Sequence, residues 1–100
     1  MSVLQKAMFR GAASTSSTVL YTVPASTSAI VTNIVIANAN ATAQAVTIKL
    51  DGVSIIDAGP VNANDAIVLD IRQVLAAGKT ITGFAESTDV KIHISGVEIA

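Results

Sequence analysis

Cysteine is absent from the 100-residue chain, and so is tryptophan. Without cysteine no disulfide framework can staple the fold, and nothing is learned about redox compartment. His93 is the single histidine, so zinc sites built from several His and Cys ligands are excluded. Charge is scarce too: 13% of residues are charged, against about 25% in ordinary globular domains. No run approaches the ~20 apolar residues of a membrane helix. Lys6 and Arg10 precede no apolar stretch of signal-peptide type, so cytosolic synthesis and no membrane contact are expected. The bases Lys6, Arg10, Lys49, Arg72, Lys79 and Lys91 are scattered, and the net charge is −1. That balance argues against nucleic acid as a partner.

What is present is apolar and β-branched. Apolar residues reach 51%, with Val, Ile and Thr recurring at period two, the pattern of pleated sheet. Ser, Thr, Ala and Asn cover the surface that Lys and Glu usually cover. Such a surface has little electrostatic protection against association, and predicts that part of it meets another subunit.

Turn residues punctuate the chain about every ten residues, the rhythm of a β-sandwich or barrel. Ser2–Arg10 reads as a strand or an N-terminal arm, and Gly11–Thr18 as a linker, so residues 1–16 form an arm or edge strand ahead of a sandwich domain at 17–100. Thr18–Val23 is a strand stopped by Pro24. Ser28–Ala37 is the strongest strand: Ile30, Ile34 and Ile36 point one way, and Ala29, Val31, Val35 and Ala37 the other. Apolar residues in both phases mean that both faces are covered. Val46, Ile48 and Leu50 alternate with polar residues up to Asp51-Gly52, the pair favoured in a two-residue type I′ turn. A return strand starts at Val53 and breaks at Gly59-Pro60; Ala66–Ile71 is a strand; Arg72–Ala77 reads as one helical turn ended by Gly78. Thr80–Ala85 carries Phe84, and Val90–Ile99 changes phase at Ser95-Gly96, which predicts a β-bulge there. The fold class expected is all-β: an antiparallel, jelly-roll-like two-sheet sandwich of about eight strands.

Catalytic signals are weak. His93 lies between Lys91 and Ser95 on the polar phase of the last strand, with no nucleophile patterned around it. Asp57, Asp65 and Asp70 lack the dense oxygen spacing of a calcium loop. Lys79 follows Gly78 without a phosphate-loop pattern. Phe9, Tyr21 and Phe84 are too few to make a sugar platform. No enzyme activity, catalytic residue, cofactor or metal is expected.

Five stretches carry a family resemblance. They are Thr18-Val19-Leu20-Tyr21-Thr22-Val23-Pro24-Ala25, the continuation Ala29–Asn38, and the later segments Ile67–Asp70, Leu75–Ile81 and Ile94–Ile99. Over residues 17–99 the chain resembles small structural β-sandwich proteins of tailed-phage virions. The resemblance implies a capsid decoration (cement) protein, synthesised in the host cytoplasm, oligomerising as a trimer on the outer shell and bracing the major capsid protein. A tail, fibre or baseplate component is the alternative, and a cellular adhesion or carbohydrate-binding module a further one. The partner interface is expected at Val3, Leu4, Met8, Phe9, Arg10, Val31, Val35 and Ala37.

Overall fold

A computed structural model describes residues 2–100. The described residues form eight strands: β1 (Val3–Ala12), β2 (Thr18–Thr22), β3 (Ser28–Asn38), β4 (Gln44–Leu50), β5 (Val53–Val61), β6 (Asp65–Leu75), β7 (Thr80–Ala85) and β8 (Val90–Ile99). They form two four-stranded antiparallel sheets, ordered β1-β8-β3-β6 and β2-β7-β4-β5. In each sheet chain neighbours are separated in space except β4-β5, the double Greek-key winding of a jelly roll. The expected fold class is therefore the observed one, and there is no helix among the described residues.

The core is aliphatic. Ile34, Ile36, Ile48, Ile81, Ile92 and Ile94 are fully buried between the sheets, with Val23, Val31, Val46, Val61 and Val90. β-branched side chains lose little rotamer freedom on burial, and each contributes about 1.5–3 kcal/mol when fully buried. With neither disulfide nor tryptophan, this interlocked Ile/Val layer carries the stability.

Tight local chemistry joins the strands. Asp51 (φ 54°) and Gly52 (φ 76°) are both left-handed, as the type I′ link between β4 and β5 demands. At one end Asn38 is buried: its side-chain amide donates to the carbonyls of Thr42 and Val61, both at 3.0 Å. Its Oδ1 accepts the Asn40 N–H at 2.9 Å, so one residue ties β3 to the loop that follows it and to the end of β5.

Several local expectations are corrected. In β3 the inward set is Ala29 and Val31, then Ile34, Ile36 and Asn38. The register slips between Val31 and Asn33 against both neighbours, leaving Thr32 as an extra residue that reverses the phase. Val31 therefore points into the core and Ile30 outward, the opposite of strict alternation. β8 itself is regular. Val90, Ile92, Ile94, Gly96 and Glu98 all face inward, and the irregularities lie in its partners, at Met8 of β1 and Thr32 of β3. The apparent phase change in β8 arose because a glycine and a glutamate occupy core positions. β5 runs unbroken through Gly59-Pro60; Pro60 pairs with Ala45 on an edge strand, where its missing donor leaves no ladder bond unmade. Arg72–Leu75 continue β6 rather than starting a helical turn, because Gln73, Val74 and Leu75 pair with Val31, Ile30 and Ala29.

Candidate functional site: the outer face of the first sheet

The face of the β1-β8-β3-β6 sheet turned away from the core presents apolar rows in register. Val97, Ile30 and Val74 are Cα partners across three strands. Val3 and Ile99 pair at the end of the sheet. A second row joins Val35 to Val68, and continues through His93 to Arg10. Val3, Val68 and Val74 are 58%, 60% and 72% exposed, far more than a residue that its own chain covers. Between the rows lie Ser95, Thr32 and Asn33, whose amide donates to Asp70 Oδ1 at 3.2 Å. Scattered exposed aliphatic residues are ordinary, but aligned rows on one flat sheet face are not.

The sequence-predicted interface residues divide between this face and the core. Val3, Arg10, Val35 and Ala37 occupy outward register positions. Leu4 stands opposite Glu98, on the inner side of edge strand β1, yet is 59% exposed. Phe9 is half-buried and packs on the core, while Met8 and Val31 are buried within it. The Met8 and Thr32 bulges cause this by reversing which residues face inward. Ile30, Val68, Val74, Val97 and Ile99 belong to the face and were not anticipated. Consecutive apolar residues at Ile67-Val68-Leu69, as in β3, were the available signal for Val68.

Sheet contact at the Ser2/Ala100 end is made by a buried polar pair. The Tyr21 hydroxyl on β2 donates to Glu98 Oε2 on β8, joining the two sheets. Lys6 Nζ stands 4.0 Å from the other carboxylate oxygen. Burial raises the Tyr21 phenol well above its ordinary value, and the hydrogen bond and negative charge of Glu98 add to the rise. A phenol held this firmly in its protonated form is a structural donor, not a base. Among the described residues, no three His, Cys, Asp or Glu side chains come together as a metal cluster would require.

No protein-family model matches the chain, and no curated protein sequence matches it. A solved structure similar in fold is the NLP core of Drosophila, described as giving insight into pentamer formation and histone binding. It has 16% sequence identity, a TM-score of 0.53 and full coverage of both chains. At that identity the likeness is one of fold. That structure is described in terms of pentamer formation and histone binding, not of a virion, and the expectation of capsid decoration is corrected, together with its tail, fibre or baseplate alternative. The segments behind the phage resemblance are spent on the jelly roll itself. Thr18–Ala25 supplies β2 with buried Tyr21 and Val23, and Ala29–Asn38 supplies β3.

Proposed function

We propose that this chain is a non-catalytic building block that associates with copies of itself through the outer face of its β1-β8-β3-β6 sheet. The observation that carries the reading is the in-register apolar row Val97–Ile30–Val74, flanked by Val3, Ile99 and the Val35–Val68 pair. Four strands about 4.8 Å apart and about ten residues long spread roughly 600 Å², close to the ~800 Å² each partner gives to a stable specific interface. The low charge of the chain fits a surface partly covered in its working state. A pentamer-forming protein on the same fold is a precedent for self-association. Histone binding has no counterpart in the residues: seven acids and six bases are dispersed along this chain, whereas a basic ligand is drawn by clustered negative charge.

The test is sedimentation velocity on the wild type and on Val74→Glu. The wild type sediments as an oligomer. The variant, with an exposed charge at the β6 end of the apolar row, dissociates at least tenfold more readily while melting at the same temperature. Unchanged sedimentation of the variant would remove this face from the interface.

A further inference from the structure

The charges around the apolar rows indicate how one copy meets the next. Arg10 pairs with His93, and Lys91 with Ala12 and Ala37, all at outward positions of the first sheet beside Val35 and Val68. Among the described residues the one carboxylate at an outward position of that sheet is Asp70, on the edge strand β6 away from β1 and β8. Two such faces pressed together would set Arg10 and Lys91 of each copy against a single carboxylate, leaving an excess of positive charge, and desolvating an unpaired charge is costly.

The complement lies on the other side of the molecule. On the outer face of the β2-β7-β4-β5 sheet, Ala45, Thr47 and Phe84 floor a shallow groove between Thr15 and Ala58. Thr47 is 4% exposed although it faces away from the core, because its Oγ1 accepts the Ala58 N–H at 3.1 Å where β5 bulges over it. Asp57 and Glu86 stand at the rim of this groove. Glu86 Oε1 accepts the Ala45 N–H at 2.6 Å, and Asp57 enters no ion pair among the described residues. The groove is therefore apolar at its base and negative at its edge. The first sheet is apolar and positive on its β1/β8 half.

Resting on the self-association reading, we infer that contact is heterologous: the basic, apolar face of the first sheet docks on the acid-rimmed groove of the second sheet in another copy. A contact between two different patches propagates from copy to copy and closes into a ring when the rotation permits, whereas a patch that meets itself stops at a two-fold dimer. Opposite charges fix the orientation of docking and disfavour the like-on-like arrangement. The two patches lie on opposite faces of the sandwich, so both can be occupied at once.

Two variants test this by complementation. Arg10→Glu with Lys91→Glu reverses the face. Asp57→Lys with Glu86→Gln reverses the groove and keeps an acceptor for the Ala45 N–H. Circular dichroism melts confirm that both are folded. Each variant alone is expected to lose assembly at least tenfold, and a 1:1 mixture to regain it in native mass spectra as mixed oligomers. If the groove variant assembles like the wild type, or the mixture fails to reassociate, the heterologous arrangement is overturned and self-association through the first sheet stands. A monomeric wild type overturns both.

Discussion

Gly96 and Tyr21 show how single side chains hold a sandwich that has no covalent staple. Gly96 occupies a core-facing position of β8 where β1 and β3 both bulge toward it. A Cβ there would strike the Ile30 carbonyl oxygen and come within 2.6 Å of Met8 Cε. Backbone cannot yield as a side-chain tip can, so Gly96→Ala is expected to cost about 1–3 kcal/mol through overpacking, read as a lower urea midpoint with an unchanged slope. Tyr21 has its folded-state pKa raised, chiefly by burial. The sign follows from linkage: the native state holds the phenol proton more tightly than the unfolded state. Its contribution is complete below the ordinary phenol value of about 10 and is lost as the pH climbs beyond it. Urea melts between pH 8 and 11 are expected to show stability falling on the alkaline side. In Tyr21→Phe that fall should be shallower. The same substitution leaves the Glu98 carboxylate without its donor, at a cost of about 1–3 kcal/mol at pH 7.

Elements were legible in the sequence wherever β-branched residues ran on between turn residues. β2, β3, β4, β7 and β8 stand close to their expected bounds, and Asp51-Gly52 specifies its turn by chemistry alone. What escaped was anything set by a neighbouring strand. The Thr32 bulge exchanges the roles of Ile30 and Val31, yet no residue of Ser28–Ala37 marks it; the slip is imposed by pairing with β6 and β8 at once. Glu98 reads as a surface residue until Tyr21 is brought to it from 77 positions away. The outer face was half legible, because apolar residues in both phases of β3 signal two covered faces. Val74 was lost when Arg72–Ala77 read as a helical turn. Loop closure at the far end depends on Asn38, which serves acceptors in the 39–43 loop and at the end of β5. Asn38→Ala should leave the Thr42 and Val61 carbonyls unsatisfied, cost about 1–3 kcal/mol, and raise amide exchange first in the 39–43 and 62–64 loops.

At the scale of the molecule, an elongated sandwich of 46 × 20 × 18 Å has much surface for its volume. A domain of this size buries a modest share of its surface by itself. The aligned Val and Ile rows outside the core are the area that association would remove from water, and dispersed charge leaves little to oppose it. The working unit in this account is therefore more than one chain. Light scattering coupled to size exclusion, from one to several hundred micromolar at physiological salt, measures that directly. A discrete mass that is a multiple of the 10.1 kDa chain is expected. A monodisperse 10.1 kDa species across the whole range would contradict it.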